Sequence, residues 1–140
     1  MNPSALSGPF FAMMMLTLVV WLTMYVRRIR FLNSVKIDPD TLTPAKLAEI
    51  SPPAVANPSD NLKNLFETPV IFYALVLYLL VTDRADTVYV AAAWTFVGFR
   101  VLHSAVHCTI NIVLLRFTLY ALSSLALWFM VLRATLSLFR

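Results

Sequence analysis

Asn64 and Glu67 stand three residues apart, just before Val70–Val81, an apolar run that carries no charge. On a helix that spacing puts both side chains on one face. An ionised carboxylate at the mouth of such a run is costly unless a cation or hydrogen-bond donor meets it. Two later stretches supply such groups. Arg100, His103 and His107 follow one another at intervals of three and four, as do Arg116, Tyr120 and Ser123 or Ser124, so each set lines one helical face. Two kinds of chemistry fit. Glu67 could pair with Arg100 or Arg116 to lock a bundle while Asn64 bonds across helices. Alternatively, the cations left over after one carboxylate is matched could hold an anionic ligand in a half-buried cavity. The count favours the ligand, since two arginines and two histidines meet a single Glu67. A metal held by His103, His107 and Glu67 has the right donor types, but Arg100 one turn away disfavours a cation. No metal is expected.

The elements that must position these groups are membrane helices. The 140 residues are 60% hydrophobic and only 13% charged, with mean hydropathy +0.78, whereas soluble domains are roughly a quarter charged. The net charge of +4 reads as basic residues at the cytoplasmic ends of spans, not as a nucleic-acid surface, and no nucleic-acid partner is expected. Gly8 and Gly98 are the only glycines, so no glycine-rich phosphate loop can form. The single Cys108 excludes an intramolecular disulfide and a multi-cysteine metal site.

Four apolar stretches predict an all-α integral membrane four-helix bundle of one domain, residues 1–140, with spans at about 9–30, 62–81, 87–107 and 112–132. The charges Arg27, Arg28 and Arg30 follow the first stretch instead of preceding it, which predicts an uncleaved span and both termini on the non-cytoplasmic side. Residues 31–60 then form a cytoplasmic loop. Its prolines (Pro39, Pro44, Pro52, Pro53 and Pro58) rule out any long helix there, although Thr43-Pro44 can cap a short one over 44–50. Pro69 is expected to kink the second span. This topology brings Asn64, Glu67, Arg100, His103, His107, Arg116 and Tyr120 to one depth in the cytoplasmic leaflet.

Asn64-Leu65-Phe66-Glu67-Thr68-Pro69, Arg100-Val101-Leu102-His103 and Arg116 with Tyr120 resemble the MAPEG family, membrane-associated proteins of eicosanoid and glutathione metabolism. The resemblance covers most of the chain. It implies a homotrimer with glutathione sites between protomers. It assigns the thiol-activating role to Arg116 and contacts with glutathione, the cosubstrate, to Arg28, Lys63, Asn64, Glu67, Arg100, His103, His107 and Tyr120. The implied activity is that of a glutathione-dependent transferase or peroxidase acting on hydrophobic electrophiles or lipid hydroperoxides that enter from the bilayer. Three positions depart from the family pattern. His107 stands where several glutathione-using members have tyrosine, Asp60 where they often have a basic residue, and Phe117 where a small polar residue adjoins the key arginine. These departures favour the alternative, a non-catalytic lipid- or quinone-binding scaffold of the same fold.

Overall fold

In the computed structural model, residues 3–35 and 37–139 are described. Their regular structure is all helical: α1 Ser7–Val35, α2 Pro44–Ile50, α3 Pro53–Leu65, α4 Thr68–Val81, α5 Thr87–Cys108 and α6 Val113–Leu136, with short 3-10 turns before α1, between α1 and α2, and after α6. Four stretches are long and apolar enough to cross a bilayer: α1, α3 with α4, α5, and α6 with its terminal turn. On α1 the buried residues Pro9, Met13, Val20 and Met24 form a narrow stripe at helical spacing. Phe11, Met15, Val19 and Leu22 are exposed, as expected of a surface solvated by lipid. The core is apolar at mid-height, where Phe72 of α4 stacks on Phe96 of α5 at 4.6 Å between ring centroids.

The main difference from the sequence expectation lies in residues 31–60. Helix α1 continues to Val35, and the chain then re-enters helix twice. α2 is capped as its sequence predicts, with Thr43 Oγ1 accepting from Lys46 N–H at 3.2 Å. α3, however, runs through Pro58. Proline has no N–H to give to the carbonyl four residues back, which here belongs to Ala54. Arg27 supplies the missing donor: its Nη1 reaches Ala54 O at 3.1 Å and Cys108 O, in the last turn of α5, at 2.9 Å. A helical proline is tolerated inside a membrane protein when a neighbour satisfies the freed carbonyl in this way. The prolines therefore do not exclude a helix, because a side chain from another helix offsets their cost.

Pro69 acts differently from the expected mid-span kink. The second span breaks at Phe66-Glu67, and Pro69 lies in the first turn of the new helix α4, where an N–H would lack an intrahelical partner anyway. Asn64 thus ends one helix while Glu67 caps the next, so the two do not share one helical face as their spacing suggested.

At the opposite end of the bundle, Asp83 takes a left-handed φ of 53° in the α4–α5 turn. Asp86 then starts α5 by accepting from Val88 and Tyr89 N–H at 3.0 Å. The same carboxylate takes two bonds from Arg133 of α6, at 2.8 and 2.6 Å, and that guanidinium lies 4.3 Å above the Tyr89 ring. The bonds from Arg133 hold the Asp86 carboxyl at about 2, with partial burial pulling the other way and the Tyr89 and Val88 N–H groups helping.

Two outcomes follow. Arg27→Ala should lower the melting temperature in detergent, since it strands the partly buried Cys108 O at about 1–3 kcal/mol and removes the donor to the more exposed Ala54 O. Pro58→Ala, which restores the N–H for Ala54 O, should recover part of that loss in the double variant, and strictly additive effects would show the two sites to be uncoupled. The stability contributed by Asp86 is fully present above the ordinary carboxylate range, near pH ~4. It is lost as pH falls through about 2. Acid melts of Asp86→Asn should therefore be flatter than wild type across that window.

Candidate functional site

Arg100 is fully buried on the inner face of α5. Its Nη2 donates to Asn64 O at 2.6 Å, filling one of the carbonyls that the last turn of α3 leaves open. Its Cζ lies 5.2 Å from the centre of the Tyr120 ring. The other two nitrogens, Nε and Nη1, have no hydrogen-bond partner among the described residues. One turn on, His103 is buried with Nδ1 at 2.9 Å from Arg116 O. A carbonyl oxygen can only accept, so Nδ1 carries the proton and, in the neutral ring, Nε2 is a bare lone pair. That Nε2 and Nδ1 of the neighbouring His107 are likewise buried without partners, the two rings meeting edge to face at 5.5 Å.

α6 brings the second set of groups. The Tyr120 hydroxyl donates to Glu67 Oε2 at 3.3 Å, and the Tyr120 ring lies 5.7 Å from that of His103. Arg116 is half-buried, and its Nη1 donates to Asn111 Oδ1 at 2.7 Å. Glu67 itself is exposed. The ion pairs among the described residues are Lys63–Asp60 and Arg133–Asp86, so Glu67 does not lock the bundle by pairing with Arg100 or Arg116. A fully buried guanidinium with two unbonded nitrogens stands beside a bare imidazole nitrogen. That arrangement suits a ligand offering both an acceptor and a donor.

Arg28 and Lys63 are not brought to this cluster. Val55, Pro58, Asn61 and Leu65 form the buried face of α3, and helical spacing puts Asn57 and Asn64 on one flank of it, Ser59 and Lys63 on the other. Arg28 Nη2 donates to Ser59 Oγ at 3.0 Å. Together with Lys63 it lines a cleft of about 440 Å³ beneath α2. Lys63 is bound there by Asp60 at 2.8 Å, which also neutralises the carboxylate that departs from the family pattern. A larger cavity of about 680 Å³ lies at the far end of the bundle, around Arg84, Tyr89 and Leu132. Neither space is lined by Arg100 or His103, and of the cluster's neighbours it is Glu67 that is exposed. Among the described residues no three His, Cys, Asp or Glu side chains gather as a metal site would need.

Several polar residues of this end escape a reading of the sequence alone. Asn61 is fully buried; it accepts from Ser104 Oγ at 3.3 Å and donates to Cys108 Sγ at 3.5 Å. Asn111 donates to Asn57 Oδ1 at 3.2 Å. The signal was present, since Asn57, Asn61 and Asn64 are four and three apart and make one stripe once α3 is allowed to pass through Pro58.

The whole arrangement falls within a match to the MAPEG family that spans residues 6–136. The chain belongs to the MAPEG family. This MAPEG protein is thus an integral, multi-pass membrane protein, in keeping with its four long apolar helical stretches. No curated protein and no solved structure matches it.

Burying an under-bonded guanidinium is a cost that function, not folding, must justify, and an apolar residue of similar length often stabilises such a site. Arg100→Met should therefore leave the melting temperature of the ligand-free protein unchanged or raised. A drop of several degrees would show instead that the bond to Asn64 O outweighs the burial.

Proposed function

We propose that this MAPEG protein binds glutathione against the Arg100–His103–Tyr120 cluster and activates its thiol with Arg116. The observation that carries this reading is Arg100, fully buried with Nε and Nη1 unbonded. A peptide carboxylate offers two acceptor oxygens to a guanidinium fork, while exposed Glu67 can take the peptide's ammonium. Arg116, held by Asn111 and not by a carboxylate, keeps a full positive charge for a thiolate. A thiol of pKa ~8.5 drops when a guanidinium faces it, which raises the reactive fraction at neutral pH.

The thiolate sulfur then attacks an electrophilic carbon of a hydrophobic substrate arriving from the bilayer, forming the C–S bond as the leaving group departs with the electron pair. With a lipid hydroperoxide, sulfur attacks the terminal oxygen and the O–O bond breaks. The alkoxide takes a proton to become an alcohol, and a second glutathione reduces the sulfenic acid to disulfide and water.

The separation of Arg28 and Lys63 from the rest of the set supports a site shared between protomers. Groups on opposite flanks of α3 meet when one protomer's flank faces its neighbour's other flank, a head-to-tail contact that closes into a ring. A homotrimer satisfies it. The basic end of α1 supports a cytoplasmic location for this end of the bundle, with both termini on the other side.

A second reading, a non-catalytic binder of fatty acid or quinone, draws on Phe117, which is 65% exposed beside Arg116 and presents an apolar wall where conjugation chemistry would use a polar one.

Calorimetric titration of glutathione into the detergent-solubilised protein should show binding, weakened about tenfold in Glu67→Gln. Arg116→Ala should abolish conjugation of a hydrophobic electrophile, and unchanged turnover would refute the assignment. A melting-temperature rise with fatty acid or quinone, and none with glutathione, would select the second reading.

A further inference from the structure

The turn between α5 and α6 reverses the chain within Thr109–Ile112. Asn111 occupies it with φ 47°, a left-handed conformation that asparagine tolerates better than most residues but that glycine adopts freely. Its N–H donates to Val106 O at 2.8 Å, so the backbone alone closes the turn, and the side chain is free for another purpose. The carboxamide lies between two polar partners. Oδ1 accepts from Arg116 Nη1 at 2.7 Å and Nδ2 donates to Asn57 Oδ1 at 3.2 Å. An arginine can only donate, which fixes the amide's orientation and makes Asn57 the acceptor at the far end. The chain Arg116–Asn111–Asn57 therefore runs in one direction from α6 through the turn to α3.

We propose that Asn111 is a positioning residue that anchors Arg116 without neutralising it, Asn57 in turn anchoring Asn111. The inference rests on the glutathione reading above. A carboxylate at this position would hold the guanidinium at least as firmly but would cancel the charge that a thiolate needs. A glycine would keep the turn and release the guanidinium. Only a neutral acceptor does both jobs, and the amide's second group supplies the brace. Arg100, His103 and His107 from α5 and Tyr120 from its own helix stand around Arg116, while Glu67 at the start of α4 bonds to that Tyr120 and Asp60 of α3 acts on His107. All stay in place in the variants below.

The test compares Asn111→Gly, Asn111→Asp and Arg116→Ala in the full-length protein, by the pH dependence of the ultraviolet absorbance of bound glutathione thiolate and by kcat and KM. Asn111→Gly should raise the thiol pKa by about one unit and lower kcat roughly tenfold with the KM for glutathione little changed. Asn111→Asp should move the thiol further, towards its free value. Asn57→Ala, outside the turn, should give a smaller shift of the same sign and keeps the inference testable should Asn111→Gly fail to fold. Wild-type titration and kcat in Asn111→Gly, or in Asn57→Ala if only that variant folds, alongside an inactive Arg116→Ala would overturn this inference alone. An unaffected Arg116→Ala would overturn the glutathione reading beneath it.

Discussion

A carbonyl left without a donor is costly wherever water is scarce, and the α3–α4 stretch of this chain creates two. Pro58 cannot bond to Ala54 O, and the break at Phe66-Glu67 leaves Asn64 O open at the end of α3. Both are answered by arginines from other helices: Arg27 of α1 donates to Ala54 O and Arg100 of α5 to Asn64 O. Each arginine brings more donors than the carbonyl requires. Arg27 uses a second contact to close the end of α5 at Cys108 O, which ties three helices together. Arg100 has nothing equivalent, and its surplus donors are the chemical feature of the buried site.

The two ends of the bundle show how differently the same residue type behaves. Arg133 meets Asp86 through two short bonds and rests on Tyr89, so its charge is matched and the pair serves as a clasp on α5 and α6. Arg100 and Arg116 share this end of the bundle with the Glu67 carboxylate, and neither pairs with it. The partners they do have are neutral: a backbone carbonyl, an aromatic face and a carboxamide. Neutral partners fix a guanidinium in space while leaving its field unopposed, which is the electrostatic condition for attracting an anion.

Amides do much of the structural work at this end. Asn57, Asn61, Asn64 and Asn111 link α3 to α5 and α6 through side chain or backbone. An amide can donate and accept at once, so it bridges helices without adding charge to a low-dielectric interior. Their stripe along α3 depends on the helix persisting through Pro58, and that in turn depends on Arg27. The break at Glu67, for its part, leaves the carboxylate exposed at the start of α4, where the Tyr120 hydroxyl donates to it.

The sequence by itself determined the all-helical membrane character, because uncharged runs of this length have few other stable environments, and it determined that Arg100, His103 and His107 share one face of α5 and Arg116 and Tyr120 one face of α6, because helical spacing fixes which residues share a face. It also carried the family, through motifs spread along most of the chain. Only the tertiary structure decided where α3 begins, since the tolerance of Pro58 comes from Arg27, thirty-one positions away in the chain, and local propensity does not register a donor from another helix. It likewise decided that Glu67 stands apart from both arginines and that Arg28 and Lys63 lie on the other flank of α3. Pairing across helices depends on their relative rotation and on the break before Pro69, and neither is written in the spacing of residues along any one of them.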